Sequence, residues 1–348
     1  MVAAMSERAD ALAALLRARV GARGGAVLAA SSAGVGWMGS VGLPGAAPPL
    51  FLAYSITKSF LAALALQLRD EGRIALDEPL ARFAPEVPRA GEISLRQLLN
   101  HTAGLPDYGV LPEYHAAVRE RPAAPWSFEE FATRTFVRGL AAAPGERFAY
   151  SNPGYALLRR LVEDETGQSL RAAIAERIAG PLGLAGTSVV ESLEDLAALV
   201  PAFSRFGLSS GEARDVRESY HPGWVWHGVV ASTPEDICAF YRRLFEGAVV
   251  SRASLEEMTR LVPVDFPWPH GSAGYGLGLM GSRDRPLYGH NGGGPGYTAS
   301  AWCARDAAGA PAAACAMCAF EDPPLAEALA HAALELVLTP RLCDLATR

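Results

Sequence analysis

Tyr54-Ser55-Ile56-Thr57-Lys58 holds the only lysine of a 348-residue chain whose other basic residues are all arginine. A guanidinium keeps its proton near neutral pH, whereas a desolvated amine can shed it. An arginine bias can come from genome base composition, so the neighbours of Lys58 decide what its exception means. Phe60, Leu61, Leu64 and Leu68 recur at helical spacing, which predicts a long helix from Ser55 to about Asp70. Residues three apart share a helix face, so the Lys58 amine approaches the Ser55 hydroxyl from one turn below. A helix N-terminus adds free amides and partial positive charge beside the serine. The apolar residues that follow predict a desolvated lysine with a lowered pKa, a neutral base next to a nucleophile. Ser-x-x-Lys alone is a common chance match.

Two further stretches extend the pattern. In Tyr150-Ser151-Asn152, a tyrosine hydroxyl beside an amine can pass a proton between nucleophile and leaving group. The Asn152 amide offers both a donor and an acceptor to a substrate carbonyl. The alternative is a turn with a helix cap, since Asn-Pro-Gly introduces a helix over 155–167. Gly289-His290-Asn291-Gly292-Gly293 puts glycines at a strand edge, where a substrate backbone can approach closely. Its alternative is a plain glycine-rich turn. The chain has only three asparagines, Asn100, Asn152 and Asn291, and two of them fall in these stretches.

Together the three stretches resemble the serine β-lactamase and penicillin-binding family, in the class C-like branch. That branch holds D-alanyl-D-alanine carboxypeptidases, D-aminopeptidases and esterases. Supporting stretches are Leu98-Leu99-Asn100-His101-Thr102-Ala103-Gly104-Leu105-Pro106, Pro181-Leu182-Gly183-Leu184, Ser232-Thr233-Pro234-Glu235-Asp236 and Tyr275-Gly276-Leu277-Gly278. The resemblance covers residues 10–338. It implies an α+β, β-lactamase/transpeptidase-like fold: an antiparallel sheet flanked by terminal helices, with an inserted, mostly helical domain. It implies that Ser55 attacks a carbonyl while Lys58 and Tyr150 manage its proton, and that water releases the acyl-enzyme. It maps the oxyanion donors to the Ser55 and Gly293 amides and substrate binding to Asn152, His290, Asn291 and Gly293. No cofactor is implied. Lactamases commonly carry Lys-Thr-Gly where this chain has His290-Asn291-Gly292, so the cation and hydroxyl that help hold a substrate carboxylate are missing.

Half the residues are hydrophobic and a fifth charged, the composition of a folded globular protein. A net charge of −6 argues against nucleic acid and anionic membrane as partners. A small molecule or short peptide is the expected partner, and oligomeric state is left open. The first 20 residues carry charges throughout an amphipathic helix pattern over 9–19, unlike a secretory leader, so a cytoplasmic location is expected. Five cysteines, an odd number, argue against a disulfide framework. Period-two alternation would point Cys315 and Cys318 to opposite faces of one strand, as buried thiols. The seven histidines show no tight ligand spacing, so no metal is expected. Gly207-Leu208-Ser209-Ser210-Gly211 matches Gly-x-Ser-x-Gly but lacks the strand and helix of a nucleophile elbow, and reads as a loop. His101 reads as a structural hydrogen-bonding residue. Trp224, Trp226 and His227 read as packing or as acyl-pocket lining.

Periodicity alone predicts strands near 25–31, 34–41, 274–280, 286–290, 297–304 and 311–320, with a closing helix over 323–337. These form a mixed sheet built from both chain ends. The expected division is an α/β sheet domain of 1–58 and 225–348 around a helical domain of 59–224. Three functions fit: a hydrolase of esters, amides or D-amino-acid peptides; an acyltransferase or peptide cyclase with the same acyl-enzyme; and a non-catalytic sensor. The complete Ser55, Lys58 and Tyr150 set favours the first.

Overall fold

Every residue of the strand Pro311–Cys318 is buried, on both faces. Ala313, Cys315 and Met317 join one core cluster, while Ala312, Ala314, Ala316 and Cys318 join a second. Strict alternation therefore separates Cys315 from Cys318, and both are free thiols. A run this apolar forms a central strand because helices cover each side of it.

The structure, a computed structural model, describes residues 2–32, 35–43, 48–206 and 212–339. The Gly-x-Ser-x-Gly stretch at 207–211 and Cys343 lie outside them. Among the described residues, eight strands form the main sheet. Their order is Val35–Val41, Ala26–Ser32, Pro311–Cys318, Tyr297–Arg305, Leu287–Gly294, Met280–Ser282, Ala273–Tyr275 and Val262–Pro263. All pairings are antiparallel, which corrects the mixed sheet of the periodicity reading. The single strand predicted over 274–280 is two short ones, because Gly278 turns the chain at φ 72°. A Cβ there would stand 2.4 Å from the Ala62 Cβ, so the turn presses on the helix below it.

The helices Val2–Val20 and Pro323–Leu338 cover one face, burying Leu12, Leu16, Val20, Leu329 and Leu334. The helix Pro234–Phe245 covers the other, opened by Thr233 accepting from the Asp236 amide with proline at its first position. Its Phe240 stacks on Phe60 at 3.9 Å. Phe60 belongs to the helix Thr57–Asp70, which is buried from Thr57 to Leu66. Ser59 satisfies its hydroxyl there by donating to the Gly278 carbonyl at 2.7 Å. This helix packs against Asn152–Thr166, and so joins the sheet to the helical region.

A three-stranded sheet of Phe51–Leu52, Val229–Ser232 and Ser188–Val190 bridges the same two regions. Val189, from the expected helical insert, pairs with Val230 outside it. Main-chain hydrogen bonds thus cross the division predicted at 224/225. Among the described residues, no helix is long and apolar enough to cross a membrane.

Candidate active site

The nucleophile turn begins with a strained residue. Tyr54 has φ 43°, a left-handed conformation that costs a side-chain-bearing residue about 1–3 kcal/mol. Its surroundings hold it there. The Tyr54 hydroxyl donates to the Pro295 carbonyl at 2.7 Å. Gly294 makes room, since a Cβ on it would lie 2.4 Å from the Tyr54 ring. The short 3-10 turn Tyr54–Ile56 then runs into the helix at Thr57, so Ser55 stands just ahead of the helix proper.

Around Ser55 the side chains converge. The Tyr150 hydroxyl donates to Ser55 Oγ at 2.8 Å, and Lys58 Nζ lies 3.2 Å from the same oxygen. Lys58 is buried, and it also donates to Asn152 Oδ1 at 2.8 Å and lies 3.2 Å from His227 Nε2. A neutral amine has two protons and one lone pair. With Asn152 and His227 accepting its two protons, the lone pair is left for the Ser55 hydroxyl. Burial pushes Lys58 down to about 7, against the pull of the Asp107 charge, which favours the ammonium. Burial likewise raises Tyr150 well above an ordinary phenol, so it keeps its proton.

A second ring of residues orients this set. Asp107 accepts both 3.1 and 3.2 Å contacts from Asn152 Nδ2, fixing the amide so that its oxygen faces Lys58. Burial raises the Asp107 carboxyl despite the Lys58 charge nearby, so desolvation outweighs their mutual attraction on both sides. His101 accepts from the Ser151 amide at 3.1 Å and packs its ring 4.3 Å from that of Tyr150. That is the structural hydrogen-bonding role its sequence context predicts.

The predicted motif at 290 divides. Gly293 lines a cavity of about 390 Å³ together with Ser55, Asn152 and His227. His290 is buried under the site, 2.9 Å from the Tyr275 hydroxyl, and burial lowers it to about 3. Asn291 points to the opposite face, where its Oδ1 accepts from Ser300 Oγ at 2.7 Å. Neither side chain is among those lining the cavities beside Ser55 and Tyr150. Alternation along a strand sends neighbouring side chains to opposite faces, and both faces here are covered. What this strand brings to the site is main chain and space.

Gly292 shows how tight that space is. A Cβ there would stand 2.1 Å from the Ala53 carbonyl oxygen and 3.3 Å from the Ser55 nitrogen. Gly292→Ala is expected to destabilise the protein by about 1–3 kcal/mol, because backbone must retreat from backbone. Gly293→Ala, whose Cβ meets nothing closer than 3.9 Å, should cost less. Thermal unfolding of the pair reads this directly, and equal midpoints would refute the close approach.

A second cavity of about 870 Å³ lies on the far side of Tyr150, walled by Phe148, Phe266, Trp268 and Tyr275. The larger of the two does not touch Ser55. The smaller one does.

A family model described as Beta-lactamase matches residues 12–338. The chain belongs to the beta-lactamase family. Among solved structures, this beta-lactamase-family chain is similar to a D-stereospecific amidohydrolase from Streptomyces sp., 29% identical with a TM-score of 0.79, covering 91% of this chain and 96% of that one. It is also similar to D-amino acid amidase from Ochrobactrum anthropi SV3 complexed with L-phenylalanine amide, 28% identical with a TM-score of 0.79, covering 95% and 96%. A curated relative is "Penicillin-binding protein 4*" of Bacillus subtilis (strain 168), 27% identical over 273 residues, which are 72% of this chain and 56% of that protein. The chain thus spans little more than half the length of that relative.

Within this beta-lactamase-family site, sequence reasoning left the direct partner of Lys58 unresolved. His227 stood between packing and pocket lining, and the structure puts its Nε2 on the amine. Burial holds this histidine well below its ordinary pKa, so the ring stays neutral and free to accept. Asp107, which holds the Asn152 amide, was assigned no role from the sequence. The signal available for both was burial of a polar residue among apolar neighbours, which a single sequence does not reveal.

Proposed function

We propose that this chain is a serine hydrolase that acylates Ser55 and acts on amides, esters or short peptides, D-amino-acid amides foremost. The observation that carries the reading is one oxygen, Ser55 Oγ, held 2.8 Å from the Tyr150 hydroxyl and 3.2 Å from a buried amine. Neutral Lys58 takes the Ser55 proton, directly or through Tyr150, as Oγ bonds to the acyl carbon. The carbonyl electron pair moves onto oxygen, which the Ser55 and Gly293 amides stabilise. When the tetrahedral species collapses, the bond to the leaving amine or alkoxide breaks. That group takes a proton from Tyr150, and Lys58 restores it. Water then repeats the sequence on the acyl-enzyme and frees the acid.

The substrate class rests on three supports. Tyr54, Tyr108, Tyr114, Tyr220 and Trp224 line the cavity at Ser55, suiting an apolar or aromatic acyl side chain. The chain lacks the cation and hydroxyl of Lys-Thr-Gly, which favours substrates without a free carboxylate. The two similar solved structures are described as a D-stereospecific amidohydrolase and a D-amino acid amidase. We also propose that the enzyme works in the cytoplasm on soluble substrates.

Intact-mass analysis after exposure to a fluorophosphonate, a β-lactam, a p-nitrophenyl ester, and D- and L-phenylalanine amide tests the reading. One adduct, mapped to the peptide containing Ser55, is expected, with turnover of the D-amide exceeding that of the L-amide. An unreactive Ser55, with no turnover of any acyl donor, would refute it. Added amine nucleophile distinguishes hydrolysis from transfer: free acid as the main product is expected.

A further inference from the structure

On the sheet face away from Ser55, the terminal helix Pro323–Leu338 carries Glu327 and His331 four residues apart, so they share a helix face. His270 comes to them from the segment between the strands Val262–Pro263 and Ala273–Tyr275. One ligand atom from each of the three lies within 4.8 Å of the others. We propose that His270, Glu327 and His331 form a binding site for a divalent transition-metal ion of the zinc type.

Two observations carry this. His331 is 4% exposed and its Nε2 has no hydrogen-bond partner; the nearest carboxylate oxygen, Glu327 Oε1, is 3.8 Å away. A buried ring nitrogen without a partner is costly, and a metal ion would satisfy it. Next, the outer contacts of the carboxylate are those a metal-ligating carboxylate has. Trp268 Nε1 donates to Glu327 Oε1 at 2.6 Å, and the Asn291 side chain reaches the same residue. A carboxylate offers about four lone-pair sites, so these contacts leave room for an ion.

Two imidazoles and one carboxylate suit zinc, cobalt or nickel rather than the oxygen-seeking magnesium and calcium. The His270 and His331 rings now stack with centroids 3.4 Å apart, so their lone pairs run side by side. Binding requires the His270 ring to swing. It is partly exposed, so the ring has solvent on one side to turn into. Histidine spacing along the chain gave no metal signal because only one histidine lies on the helix. The ion would tie Trp268, a wall of the larger cavity, to the terminal helix.

The test uses the whole chain, stripped with chelator and titrated calorimetrically with Zn²⁺ or Mg²⁺, alongside thermal unfolding. One Zn²⁺ per chain, a raised unfolding midpoint and no response to Mg²⁺ are expected. His270→Ala, a change at a partly exposed position, should weaken Zn²⁺ binding at least about tenfold and abolish the midpoint shift. Glu327→Gln should do the same, and neither should change acylation of Ser55 without metal. Absent or substoichiometric Zn²⁺ binding, or binding indifferent to His270→Ala, overturns the site.

Discussion

Lys58→Arg is expected to lower the rate of Ser55 acylation by about 10²–10⁴-fold, although the positive charge is kept. The argument is one of proton inventory. A guanidinium has five N–H donors and no lone pair to accept with, and it does not deprotonate at any working pH. At this position it could hydrogen-bond to Asn152 Oδ1 and His227 Nε2 much as lysine does. It could not take the proton that must leave Ser55 Oγ, 3.2 Å from the present amine. Tyr150 offers no substitute, because burial holds its proton more tightly than an ordinary phenol does. The measurement is the single-turnover acylation rate with an activated ester, and thermal unfolding shows whether the variant is folded. A folded Lys58→Arg protein acylating at near the wild-type rate would remove Lys58 as the base.

How far this site was legible depends on which residues are close in sequence. Ser55 and Lys58 are one helical turn apart, so the 3.6-residue period alone put them together. The glycines at 292 and 293 were read as room for a substrate backbone; at Gly292 the close neighbour is the protein's own Ala53 carbonyl. The central strand Pro311–Cys318 announced itself as an apolar run, and its alternation separated Cys315 from Cys318 as expected. Long-range polar contacts were not legible. His227 meets Lys58 across 169 residues, and Asp107 orients Asn152 across 45, with no periodicity linking them. For Asn291 the motif was legible, but the strand phase that turns its side chain towards Ser300 was not. The split of the predicted 274–280 strand has a local cause, the left-handed Gly278. The same lack of long-range information hid His270 from Glu327 and His331.

The pH profile of acylation should carry a single rising limb. Burial lowers Lys58 to about 7, the Asp107 charge opposing it, and the active form is the unprotonated one. The rate therefore falls with acid and levels off above the inflection, the sign required when a base must be neutral. Between about pH 5 and pH 8 the neutral fraction, and with it the second-order rate, rises roughly 100-fold. Among the groups near Ser55, burial raises the Asp107 carboxyl towards this window. Burial raises Tyr150 above this window, lowers His290 to about 3 and pushes His227 well below an ordinary imidazole. Asp107→Asn removes a negative charge that favours the ammonium, so it should move the inflection to lower pH. That shift is the sharper half of the test, since a general loss of structure would lower the plateau without moving the midpoint in a set direction. A flat profile with chemistry rate-limiting, or an inflection near that of a free lysine, would mean that the amine beside Ser55 is not the base that burial makes it.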